Sequence, residues 1–210
     1  MTIITAVKFD DHFAIATDSQ TTFGPTRLGD SHNRYASKII EADGNYFACG
    51  SWAASCDAFR HLMENRKTIQ GLPDLIKNLC LKSWSDVMEF SNTVHVVLKA
   101  NYHLTTQSQN TDQPTECGQF TYMIANKYGI WSVGEHRDVY EHEKFWAIGS
   151  GDEYALGAME VAMDDSFENG RNAKEIAQMG AEASCKFDTN CGSPVYVHGG
   201  ELELIKVEHG

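Results

Sequence analysis

Long apolar runs are missing from this chain. None approaches the ~18–20 consecutive apolar residues of a membrane-spanning helix, so no segment is expected to cross a bilayer. Basic residues are scarce: 17 Lys+Arg stand against 29 Asp+Glu, a formal net charge of −12. A surface this acidic repels phosphate backbones and anionic lipid, which argues against nucleic-acid and membrane partners. No basic leader precedes an apolar core at the start, and Asp10-Asp11 interrupts the segment where a signal peptide is continuous. The expected location is therefore cytoplasmic. Six cysteines are spread from Cys49 to Cys191, with no C-x-x-C pair and no Cys/His ligand spacing. They read as small buried hydrophobes, not as a disulfide framework. Repeats and low-complexity linkers are also absent. With 42% of 210 residues hydrophobic, a single domain over 1–210 is expected.

What is present is a series of β-rich pairs and helical segments. Thr2–Phe9 and His12–Asp18 flank the Asp10-Asp11 turn as a hairpin, which anchors the first residues in a sheet. Ser19–Tyr35 is polar, contains Gly24-Pro25 and Gly29-Asp30, and reads as an excursion loop. Ser37–Glu41 and Tyr46–Gly50 form a second hairpin around Asp43-Gly44-Asn45. Helices are expected over Trp52–Arg66 and over Leu72–Phe90, the latter opened by Pro73. Val94–Leu104 fits helix or strand, with helix preferred as a continuation. Thr105–Cys117 is polar and turn-rich and reads as a mobile loop. Phe120–Asn126 and Ile130–Gly134 make a third hairpin, and Phe145–Ile148 a short strand. Asp152–Phe167 and Ala173–Phe187 are helical, the second capped by Asn172. Val195–His198 and Glu201–Val207 are expected to close on Gly199-Gly200 as a last hairpin. Antiparallel hairpins alternating with helix pairs predict an α+β class, a four-layer αββα sandwich with two antiparallel sheets between helix layers.

Several residues carry potential chemistry. Thr2 follows the initiator methionine, which aminopeptidases remove before small residues, so Met1 is expected to be lost. Asp18 ends the strand paired with the N-terminal one, and Lys38 heads the next apolar strand. Together they read either as an ion pair or as a turn acid and a solvated base. Cys49-Gly50-Ser51 lies between a strand and a helix, where its N–H groups could face a developing oxyanion. Nine histidines invite a metal reading, but His136, His142 and His198 are scattered and no i, i+4 pair shares a helix with a carboxylate. No metal and no cofactor is expected. Gly149-Ser150-Gly151 lacks the spacing of a phosphate-binding loop, and there is no G-x-S-x-G elbow.

Four segments in register carry a family resemblance. The opening MTIITAVKFDDHFAIATDSQTT resembles the start of proteasome β subunits and of the bacterial HslV peptidase. Tyr35-Ala36-Ser37-Lys38-Ile39 is similar to the family's segment around a strand-borne lysine. Gly149-Ser150-Gly151 with Glu153-Tyr154-Ala155 resembles its G-S-G-x-x-Y-A helix start, and Phe187-Asp188-Thr189-Asn190-Cys191-Gly192 its D-x-x-S/T-G segment. The subgroup most resembled is the betaproteobacterial proteasome homologue, with Anbu-like relatives further away.

This resemblance implies an N-terminal-nucleophile hydrolase: a threonine peptidase of stacked homo-oligomeric rings acting on peptide substrates. An ATPase or other activator is left open. Thr2 Oγ1 would attack the scissile carbonyl with its own α-amine as general base, and Lys38 would stabilise the alkoxide. Asp18 would orient Lys38, and the Gly50 N–H would supply the oxyanion hole. Ser150, Asp188 and Cys191 would position the amine, while Tyr46, Ala48 and Trp52 would contact substrate. Cys191 stands where Ser or Thr is usual, and Trp52 is bulky for its place. A catalytically silent barrel and a non-peptidic amide hydrolase are the alternative readings.

Overall fold

A computed structural model of the chain describes residues 2–106 and 115–203, with 165–169 as backbone alone. The N-terminal hairpin forms as its pattern predicts, from β1 (Ile3–Phe9) and β2 (His12–Asp18), and Asp10 turns in the left-handed region at φ 53°. The polar excursion that follows folds on itself. Gly24, at φ +57°, and Pro25 turn β3 (Thr21–Phe23) back onto β4 (Thr26–Leu28). β5 (Ile39–Ala42) and β6 (Asn45–Ser51) are joined by Asp43 and Gly44, both at positive φ, a combination that matches the twist of a tight hairpin.

The helical region departs from the expected single helix over Leu72–Phe90. α1 (Ala53–Asn65) is followed by a one-turn α2 (Asp74–Lys77), with Pro73 just outside it, and then by α3 (Trp84–Asn101). The break has a local cause: Ser83 accepts from the Asp86 N–H while the Asp86 carboxylate accepts from the Ser83 N–H. That reciprocal capping box starts a new helix at Trp84. Val94–Leu104 continues it as helix up to Asn101.

β7 (Phe120–Asn126), β8 (Gly129–Val133), β9 (Val139–His142) and β10 (Phe145–Gly149) follow; β9 is an element the sequence pattern did not suggest. α4 (Asp152–Asn169) and α5 (Ala173–Phe187) come next, α5 opened by an Asn172/Glu175 capping box. The last element, β11 (Val195–Glu201), corrects the expected final hairpin. It runs straight through Gly199-Gly200 beside β2. A Cβ on Gly199 would lie 2.2 Å from the Phe13 carbonyl oxygen, so the glycine serves close strand approach and not a turn. The rest of that expected hairpin, 204–207, lies outside the described residues, as does much of the Thr105–Cys117 segment.

The strands form an antiparallel sheet ordered β10-β1-β2-β11 and a second ordered β5-β6-β7-β8-β9. Period-two alternation on β1 divides its side chains between two environments. Ile3 and Val7 pack with Ala155, Met159, Ile176 and Ala177 of α4 and α5. Ile4 and Ala6 face Ile39, Ala48, Met123 and Ile130 of the other sheet. The outer face of that sheet, through Phe47, Tyr122 and Trp131, packs on Phe59, Leu62, Phe90 and Leu98 of α1 and α3. Each large side chain removed from water there contributes about 1.5–3 kcal/mol. No helix among the described residues is long and apolar enough to cross a membrane.

Candidate active site

Strand register brings the chain's first residues to the end of β2. Ile4 lies opposite Thr17, so Thr2 and Ile3 come level with Asp18. The Asp18 carboxylate has no solvent exposure and is met by five donors. Its Oδ1 accepts from Thr2 Oγ1 at 2.6 Å, the Ile3 N–H at 3.1 Å and Lys38 Nζ at 2.6 Å. Its Oδ2 accepts from the N–H groups of Gln20 at 3.1 Å and Gly192 at 3.2 Å. Lys38, one residue before β5, also donates to Thr2 Oγ1 at 2.7 Å. The threonine hydroxyl therefore gives its proton to a carboxylate while a lysine nitrogen faces its lone pairs. A hydroxyl so held is prepared to become an alkoxide, because a positive charge already lies within hydrogen-bond reach.

Two glycines border this triangle, and at the first of them glycine is required. A Cβ on Gly149, itself at φ +123°, would fall 1.9 Å from the Thr2 carbonyl oxygen. That oxygen accepts from the Ser150 N–H at 3.0 Å, which pins the chain start to the end of β10. Gly50 on β6 approaches from the opposite sheet, and a Cβ there would sit 3.1 Å from Thr2 Cγ2. Just beyond it Ser51 is held at φ 135°, a sparsely populated conformation for a residue with a side chain.

Ser150, Asp188 and Cys191 form a linked group beside the triangle. Ser150 Oγ lies 3.6 Å from Cys191 Sγ, and the thiol donates to Asp188 Oδ2 at 3.3 Å. Burial pushes the Cys191 thiol up to about 12, with the Asp18 and Asp188 carboxylates acting in the same direction. It is thus a neutral donor at physiological pH. Asp188 is itself partly desolvated, but hydrogen bonds from Ser150, Asn190 and Cys191 hold its carboxyl below the usual range.

The structure thus brings Thr2, Asp18, Lys38 and Gly50 into contact, with Ser150, Asp188 and Cys191 adjoining. It does not bring Tyr46 or Ala48 to them. Tyr46 lies four residues from Gly50 along β6, about 13 Å at strand spacing. Its ring packs instead on Phe13 and His198, at centroid distances of 5.9 and 5.6 Å. Ala48 is fully buried between the sheets. Trp52 is 72% exposed at the head of α1, two residues from Gly50. Contacts that sequence reasoning missed come from Gln20 and Thr121. Gln20 adds a side-chain bond to the Thr189 carbonyl, and Thr121 Oγ1 donates to the Gly50 carbonyl at 3.3 Å. Neither had a signal, since both depend on pairings between distant segments.

Comparison with solved structures gives a full-length match. Thiobacillus denitrificans BPH, a bacterial proteasome homologue, superposes with a TM-score of 0.81 at 30% identity, covering 96% of this chain and 99% of that one. The chain belongs to the proteasome/HslV-type N-terminal-nucleophile hydrolases, in the betaproteobacterial proteasome homologue group. The same BPH in complex with epoxomicin matches at a TM-score of 0.79, also with 30% identity over 96% of this chain and 99% of that one. HslV from Trypanosoma brucei shares the N-terminal-nucleophile hydrolase fold at a TM-score of 0.65 and 16% identity, over 95% of this chain and 99% of its own. No protein-family model and no curated protein matches the sequence.

Proposed function

We propose that this chain, as a single proteasome-type domain, is the subunit of a self-compartmentalising threonine peptidase, active once Met1 is removed. The observation that carries the reading is the closed triangle of Thr2 Oγ1, Asp18 Oδ1 and Lys38 Nζ, with every side between 2.6 and 2.7 Å. Thr2 Oγ1 attacks the peptide carbonyl and its proton passes to the freed α-amine of Thr2, directly or through water. Lys38 stabilises the alkoxide, and Asp18 keeps Lys38 oriented. The Gly50 N–H receives the oxyanion. As the C–N bond breaks the leaving amine takes the proton, and water then hydrolyses the Thr2 ester.

Ser150, Asp188 and Cys191 position the amine in this scheme. The apolar interfaces on both faces of each sheet support an αββα layering, and likeness to BPH supports assembly into stacked homo-oligomeric rings. The epoxomicin complex of the BPH relative supports a peptide-like substrate. A fluorogenic peptide assay on the processed protein, paired with light scattering, tests the proposal. Hydrolysis abolished by Thr2→Ala, in a particle many times the 23.4 kDa chain mass, is the expected result. Equal hydrolysis by Thr2→Ala, or a monomer, overturns it.

A further inference from the structure

A second cluster of chemically active side chains lies away from Thr2, where β7 begins and β8 ends. Cys117, Glu135 and His136 each offer one donor atom there, and these atoms all lie within 4.8 Å of one another. Nothing in the sequence marks them as a set, because a thiol before one strand and a Glu-His pair after another have no ligand spacing. We propose that Cys117, Glu135 and His136 bind a divalent cation of the zinc class, with His95 turning in as a fourth ligand from outside that preformed set.

Donor chemistry fits that class. Thiolate, imidazole and carboxylate together select zinc-like ions over magnesium or calcium, which prefer oxygen alone. Two anionic ligands and a neutral imidazole also match a charge of +2. The neighbours of each donor fit as well. Cys117 is 8% exposed, and the Gln119 N–H donates to its sulfur at 3.3 Å, with Gln119 held at φ 58° to aim that group. A backbone donor to the sulfur is the kind of outer contact that supports a metal-bound thiolate.

His136 faces Glu135 across 3.7 Å through Nε2, and its buried Nδ1 has no partner among the described residues. An ordinary surface ion pair gives no reason for that. His95, 7% exposed on α3, has its Nε2 3.0 Å from a Glu116 carboxylate oxygen. Its Nδ1 is also buried and unpartnered among the described residues, and lies 3.9 Å from where a Cβ of Gly118 would be. Carboxylate on one ring nitrogen and an open lone pair on the other is the arrangement that orients a histidine toward a metal. Lys99 and Arg137 stand nearby, but they are held by Glu116, through its carboxylate and its carbonyl oxygen respectively.

The full chain, stripped with EDTA and dialysed, is titrated with Co(II). One equivalent should bind with a thiolate-to-cobalt charge-transfer absorption, and Zn(II) should displace it. Cys117→Ala should abolish that absorption. Competition with a chromogenic chelator should show Zn(II) affinity at least tenfold weaker in Cys117→Ala and His136→Ala. Glu116→Gln, which leaves every ligand in place and is half exposed, should weaken it by about 10–100-fold. Circular dichroism confirms that each variant is folded. No charge-transfer absorption in the parent protein, or affinity unchanged in all three variants, overturns the site.

Discussion

Lys38 Nζ stands 2.7 Å from Thr2 Oγ1, although 36 residues separate them in the chain. Two sheets make that approach: Thr2 heads a strand of one and Lys38 precedes a strand of the other. Replacing Lys38 by Ala removes the only side chain that donates to the Thr2 hydroxyl among the described residues. Acylation of Thr2 by a peptide epoxyketone should slow by at least about 100-fold, the lower end for a positioned acid–base group. Lys38→Arg should not restore it, since a planar fork does not reproduce a point charge on a flexible stem. Near-parental labelling of folded Lys38→Ala would remove Lys38 from the chemistry.

Asp18→Asn probes the hub of the same triangle. Both carboxylate oxygens of Asp18 only accept, and five donors surround them. An amide must turn its NH2 toward at least two of those donors, and it leaves Lys38, 16% exposed, without its counter-charge. Breaking one half of a buried pair costs about 3–5 kcal/mol. At this chain length that corresponds to a Tm drop of roughly 10 °C. Calorimetry that finds Tm within 2 °C, about the scale of a surface substitution, would contradict the hub role.

The strands next to Thr2, Asp18, Lys38 and Gly50 were legible from their β-rich runs, whereas the choice of those residues came from the family resemblance. The outer parts of the fold were less legible. Ser83 and Asp86 form a capping pair that an apolar reading of Leu72–Phe90 passes over, so one expected helix became two. Gly199-Gly200 resembles a turn in sequence, and only its distance to Phe13 reveals a paired strand of the same sheet at close approach. Tyr46 lies farther along β6 from Gly50 and Ala48 is buried between the sheets, placements that local sequence does not encode. The metal-ligand set is built wholly from long-range pairing and had no local signature.

Cys191 should behave as a protected donor and not as a reactive thiol. With burial pushing it up to about 12, almost no thiolate exists at neutral pH. Iodoacetamide at pH 7.5, about physiological, should leave Cys191 unmodified in the native protein, as thiolate content controls alkylation. Cys191→Ser should keep or raise epoxyketone reactivity, because a hydroxyl donates more strongly to Asp188. Rapid alkylation of native Cys191, or a dead Cys191→Ser, would count against this role.

His142 should make the fold sensitive to mild acid. Burial lowers it to about 4, while its ring stacks on Trp146 at 5.0 Å and its Nε2 lies 2.8 Å from Ser132 Oγ. Between its unfolded value of about 6.5 and its folded value, the unfolded chain binds more protons. Stability is therefore complete above pH ~6.5 and falls as pH drops toward ~4. His142→Phe should flatten the slope of Tm against pH in that window. An unchanged slope would assign the acid sensitivity to other groups.

Intact mass spectrometry before and after incubation with a peptide epoxyketone tests the central claim most directly. The account predicts a chain lacking Met1 and then a single inhibitor adduct, mapped by fragmentation to Thr2. A processed chain that gains no adduct, or one labelled elsewhere than Thr2, would contradict it.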